Sequence, residues 1–153
     1  MQNDKKIKLA VDATCVKHGK WLRLLGFDTE IIKGSIAFEK IRGRILITRN
    51  KKLKRKFKNN ILFLPEMPFW DALNFIIQML SLEESLNPFT RCSLCNEEVV
   101  SISKEKVKGK VPHYVYETHD IFYTCPKCNK IYWQGSHYEK FLEDIRKKIK
   151  IDI

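Results

Sequence analysis

The chain has 153 residues, 44% of them hydrophobic and nine of them Phe, and a net charge of +11 from 29 Lys and Arg against 18 Asp and Glu. That suffices for one ordinary domain, or for a domain of about 90 residues with a small appendage. No apolar run approaches the ~20 residues of a membrane span, and MQNDKKIK lacks a signal-peptide core, so a soluble, cytoplasmic protein is expected.

The charge is uneven: residues 1–90 hold 17 basic and 9 acidic side chains, residues 91–153 hold 12 and 9. Such an excess suits a polyanionic partner through phosphate neutralisation, although a Lys-rich solubilising surface accounts for it on composition alone.

In chain order, residues 7–12 (IKLAVD) read as an apolar strand ending in Asp12. A helix follows with Val16, Trp21, Leu22, Leu24 and Leu25 mostly on one face and Gly26 as C-cap. Residues 27–32 read as a second strand, 35–41 as a short helix N-capped by Ser35, and 44–48 as a third strand. Lys51 to Lys58 carry six cations around Leu53 and Phe57, whose spacing of four makes an amphipathic helix with its charges fanned outward. Residues 61–64 form a fourth strand, and 70–82 a helix striped by Trp70, Leu73, Ile77 and Leu80.

Alternating short apolar strands and helices predict a parallel α/β sheet covered on both faces, with right-handed crossovers. Ligands in such sheets sit beyond the carboxyl ends of the strands, where Asp12 and Asn50 fall. Asp12 has two readings, a cap for the following helix or a ligand for a divalent cation. Metal-assisted phosphodiester hydrolysis needs further carboxylates. Asp28, Glu39, Glu66 and Asp71 are the candidates; Glu39 and Asp71 each lie on a helix able to face the crevice, while Asp28 begins its strand and belongs at the far edge of the sheet. Asn50 brings an amide oxygen without charge. The cations Lys51, Lys52, Lys54, Arg55, Lys56 and Lys58, joined by Arg42, Arg44 and Arg49, border the same crevice and are the candidate phosphate contacts; a solvated charged face is the plainer alternative.

From residue 89 the pattern changes, which divides the chain into an α/β domain over 1–88 and a second part over 89–153. Cys92-Ser-Leu-Cys95 and Cys125-Pro-Lys-Cys128 bracket 29 residues that read as strands with a turn near Lys108-Gly109. Two thiolate pairs complete a closed tetrahedral zinc site with no open position, so the zinc is structural. His119 and His137, near the second pair, are read as surface or packing residues, and Cys15 as a buried thiol. Tyr132, Trp133 and Tyr138 read as packing for a final helix over 136–149.

The stretches LAVDATCVKHGKWLRLLGFDTE, GRILITRN, PFTRCSLCNEEV and VPHYVYETHDIFYTCPKCNKIYWQGSHYEKF resemble the PIN-like RNase domain found at the C-terminus of the Mut-seven exonucleases and as stand-alone prokaryotic proteins. The resemblance runs from about Ile7 to Phe141. It implies a three-layer PIN-like α/β domain with an appended four-cysteine zinc ribbon and C-terminal helix, acting on RNA through a Mg2+ or Mn2+ site. Asp12 matches the family's first acid, and Cys92, Cys95, Cys125 and Cys128 its zinc ligands. The family's TRD stands here as Thr48-Arg49-Asn50, and its acidic pair before the second helix as Lys33-Gly34-Ser35. Two carboxylate positions are thus neutral or basic. Two functions follow: a metal-dependent endoribonuclease of RNA processing or decay with weakened activity, using Asp12, Asn50, Glu39 and Asp71, or a catalytically degenerate module that binds RNA or the ribosome.

Overall fold

The computed structural model describes residues 6–149. The chain divides into two compact units, Met1–Asn96 and Glu97–Ile153. The first is built on four parallel strands, β1 (Leu9–Val11), β2 (Thr29–Ile31), β3 (Ile45–Thr48) and β4 (Ile61–Phe63), in the order β2-β1-β3-β4. Residues 9–11 and 46–47 are fully buried, as a sheet covered on both faces demands.

Side chains alternate across the pleat, and this sorts the helices. Helix α1 (Val16–Leu24) lies on the Val11 and Ile31 face, so close that a Cβ on Gly19 would stand 2.5 Å from Val11 Cγ2. The opposite face carries a cluster of Ala10, Leu46, Ile32, Ile36, Ile41 and Phe57 with Leu53 and Ile61, contributed partly by α2 (Lys51–Lys56). Leu53 and Phe57 are the apolar anchors of that short cationic helix. Helix α3 (Phe69–Met79) contacts α1 and buries Ala72, Leu73, Asn74, Ile76 and Ile77, a wider face than one stripe.

α1 ends in a Schellman motif: Phe27 N donates to Leu22 O at 2.9 Å and Gly26 N to Arg23 O at 3.0 Å, with Gly26 at φ +100°. The expected helix over 35–41 is instead a single 3-10 turn, Phe38–Ile41, led by Ala37 without a side-chain cap. Ser35 spends its carbonyl on Lys40 Nζ at 3.2 Å, and both Ile36 and Ile41 enter the core, which a straight helix would not allow five residues apart.

The second unit has an antiparallel sheet of β5 (Val100–Ile102), β6 (Phe122–Thr124) and β7 (Ile131–Tyr132), in that order. Between β5 and β6 the all-strand expectation is overturned. The chain forms two short helices, α4 (Lys104–Val107) and α5 (His113–Thr118), with Gly109 at φ +80° between them. Val107 and Val115 pack on Phe122, with Val111 and Trp133 against them. β-branched residues suggest strands, but here Val107 closes α4, Val111 lies in the turn and Val115 sits on α5, and all three are gathered on Phe122 by the tertiary packing. The last helix, α6 (Ser136–Lys148), buries Phe141 and half-buries Tyr138, Leu142 and Ile145. No helix among the described residues is long and apolar enough to cross a membrane.

Candidate nucleic-acid interface and metal centre

With the order β2-β1-β3-β4, the connections leave β1 and β3 in opposite directions, so the gap between their carboxyl ends is the topological switch point. Asp12, Thr14, Thr48, Arg49 and Asn50 meet there. Asp12 is only 5% exposed. Its Oδ1 accepts Thr14 N at 3.1 Å and Thr14 Oγ1 at 2.5 Å, and its Oδ2 accepts Thr48 Oγ1 at 2.8 Å. Thr14 Oγ1 in turn accepts Arg49 N at 3.0 Å, and Thr48 Oγ1 accepts Asn50 N at 2.9 Å. The carboxylate therefore clasps the end of β1 to the end of β3. Both sequence readings of Asp12 bear on this geometry, since it also N-caps the 3-10 turn Ala13–Cys15.

Asn50 is the N-cap of α2, its Oδ1 accepting Lys52 N at 2.9 Å. Glu39 lies exposed on the 3-10 turn, and Asp71 exposed in the first turn of α3. Among the described residues, the only group of three or more His, Cys, Asp or Glu side chains close enough to hold one ion is the four cysteines. Asp12, Glu39 and Asp71 do not form such a group. Asp28 immediately precedes β2, at the far end of the sheet, where Arg44 Nη1 meets it at 2.7 Å.

That ion pair places Arg44 away from the switch point. It opens β3 and also donates to Leu9 O at 3.0 Å, so its charge is spent at the amino ends of the strands. The other cations, Lys51, Lys52, Lys54, Arg55, Lys56 and Lys58, are exposed on or just after α2, the helix that follows β3. Arg49 is half-buried, with Nη2 donating to Met67 O at 3.3 Å and a buried Nε that has no hydrogen-bond partner.

Beneath this layer lie two further groups. His18 is 6% exposed, both ring nitrogens lack partners, and its ring rests 5.0 Å from that of Phe69. Burial first, then the Arg49 and Lys17 charges, bring its pKa down to about 4, so the imidazole is neutral. Burial raises the Cys15 thiol above its ordinary range and the Asp12 charge adds to that, which keeps it protonated and unsuited to nucleophilic work.

The four cysteine sulfurs Cys92, Cys95, Cys125 and Cys128 lie within 4.8 Å of one another. Tetrahedral zinc with ~2.3 Å bonds to sulfur places its ligands roughly 3.8 Å apart, so the donor set fits one zinc ion with small adjustments. Each knuckle closes alike. Asn96 N donates to Cys92 O at 2.9 Å and Asn129 N to Cys125 O at 2.8 Å, with Asn96 at φ +68° and Asn129 at φ +63°. The repeated C-x-x-C-N carries this in the sequence, because Asn tolerates the left-handed region better than most residues.

Asn96 also locks the first knuckle to β2. Its Oδ1 accepts Thr29 N at 2.8 Å and its Nδ2 donates to Asp28 at 2.7 Å. Arg23, buried on α1, donates to Thr29 O at 2.7 Å and to Ser93 O at 3.0 Å. His119 is satisfied by Thr118, Val115 O and Gln134 O, and neither it nor His137 joins the cysteine group.

The family model of the Mut7-C RNAse domain matches residues 7–145 of this chain. No curated protein and no solved structure matches it.

Proposed function

Because the chain belongs to the Mut7-C RNAse domain family, we propose that it acts on RNA, and that it holds the RNA on its cations beside the switch point without a resident divalent ion for cleavage. The observation that carries this is Asp12: the carboxylate at the end of β1 is 5% exposed and has both oxygens engaged. Mg2+ keeps several waters and is held by one or two carboxylates together with substrate phosphates; here the remaining switch-point groups, Thr14, Thr48, Arg49 and Asn50, add no second carboxylate. That donor set is a weaker one for Mg2+ or Mn2+ than a cluster of acids.

The cations do fit RNA. Six exposed Lys and Arg on residues 51–58 offer charge to phosphates, which position a nucleic acid without reading its sequence. One zinc ion on the four cysteines would cross-link the two knuckles, with no open coordination position and hence no part in chemistry.

A second reading, an endoribonuclease with Asp12 as metal ligand, Asn50 orienting water and Glu39 or Asp71 assisting, is favoured by the place of Asp12 at the switch point. The test is a labelled structured RNA with wild-type and Asp12→Asn protein, with Mg2+, Mn2+ or EDTA, alongside binding across a salt series. Binding that survives EDTA and weakens with salt, without cleavage, is expected. Turnover that needs a divalent ion and disappears in a folded Asp12→Asn variant would overturn the proposal in favour of the second reading.

A further inference from the structure

The cations of α2 are divided between two flanks. Positions i, i+3 and i+4 share one side of a helix, so Lys51, Lys54 and Arg55 stand together. Lys52 and Lys56 fall on the other, where Lys56 Nζ donates to Ile36 O at 3.2 Å. The first three, with Phe63, line a shallow open depression. Among the described residues, none of the three cations forms an ion pair with a carboxylate.

Phe63 is an unusual fourth member. It is the last residue of β4, the edge strand, and is half-buried, while the anchoring of α2 is done by Leu53 and Phe57. In register it pairs with Thr48, the residue whose hydroxyl holds Asp12, so it stands one strand across from the switch point. Lys54 Nζ lies 4.9 Å from the centre of its ring. An aromatic surface rimmed by unpaired cations is the arrangement that takes unpaired bases: the ring stacks on the base, and the cations track the backbone.

We propose that this depression is a site for one nucleotide of single-stranded RNA, with the base on Phe63 and the flanking phosphates on Lys51, Lys54 and Arg55. This rests on the reading that the chain acts on RNA. Lys54 is exposed and unbranched, so rotation about its own bonds frees the ring for the base and moves the ammonium to a phosphate. A paired, stacked base in a duplex cannot reach the ring, so the site selects an unpaired strand.

The experiment uses full-length, zinc-loaded protein and a short oligouridine with one central 2-aminopurine, compared with the same oligomer carrying an abasic ribose there. Wild-type protein is expected to bind the base-bearing strand about tenfold more tightly than the abasic one, with a change in 2-aminopurine fluorescence. Phe63→Leu, which keeps an apolar side chain on the edge strand and is checked by thermal melting, should erase that preference and the fluorescence change while leaving the salt dependence alone. Lys51→Ala with Arg55→Ala should weaken both oligomers and reduce the slope of log K against log salt by about 0.7 per cation. Equal binding of both oligomers by wild type, or an unchanged preference in Phe63→Leu, overturns the stacking site but leaves RNA binding standing. No salt-dependent binding of any RNA by wild type overturns both.

Discussion

Replacing Asp12 by Ala separates a structural clasp from a free metal ligand. The change removes the acceptor for Thr14 N, Thr14 Oγ1 and Thr48 Oγ1. Thr14 is exposed, so water can replace the carboxylate for its two donors. Thr48 is fully buried, and its hydroxyl, which also receives Asn50 N, is left with an orphaned donor. A buried donor without a partner costs about 1–3 kcal/mol, and hydrogen bonds to a charged group contribute about 1.5–3 kcal/mol each. With two of the three compensated by water, the loss comes to about 3 kcal/mol, a large share of a net stability of about 5–15 kcal/mol. With a urea slope of about 2 kcal/mol per molar, the midpoint falls by about 1.5 M. Asp12→Asn, whose amide oxygen still accepts from Thr14, loses about 1 kcal/mol. The assay is urea unfolding of zinc-loaded protein followed by the fluorescence of Trp21 and Trp70, whose rings meet edge-on at 4.7 Å in this unit. An Asp12→Ala variant within about 0.5 kcal/mol of wild type would refute the clasp and return Asp12 to the ligands of a cation.

His18 makes the fold sensitive to acid. Its folded pKa of about 4 lies below the ordinary 6.5, so between those values only the unfolded chain takes up the proton. Stability is therefore full above about pH 6.5 and declines as pH falls towards 4, by about 2 kcal/mol between pH 7 and 5; in His18→Phe, melting at the two pH values should show that difference shrink. Zinc removal should act on β2 through Asn96: chelation and Asn96→Ala should each speed hydrogen exchange at the Thr29 amide, which donates to Asn96 Oδ1, and unchanged protection there would contradict the lock. Gly26→Ala should cost about 3 kcal/mol in a urea titration, because the added Cβ would stand 2.3 Å from Asn87 O on a backbone at φ +100°.

Much of this could be read along the chain. Apolar runs of three or four residues separated by helical spacing determine four parallel strands and their covering helices, because burial on both faces leaves a strand no polar position. Two C-x-x-C pairs determine the metal centre, since two thiolates two residues apart already share one ion. Asp12 and Asn50 at strand ends mark the crevice. The helices α4 and α5 were not legible, because their β-branched residues speak for strands and only packing on Phe122 gathers Val107 and Val115. What a side chain at the crevice does was decided only by tertiary structure. Arg44 and Arg49 look alike in sequence, yet one precedes β3 and pairs with Asp28 while the other follows it beside Asp12, because a strand carries its two termini to opposite ends of the sheet. Thr48 turns Asp12 from an open carboxylate into a clasp across 36 positions, and Phe63 on β4 joins Lys51, Lys54 and Arg55 on α2. Local pattern sets which elements form; the register in which they pair sets which groups meet, and no run of neighbouring residues contains that.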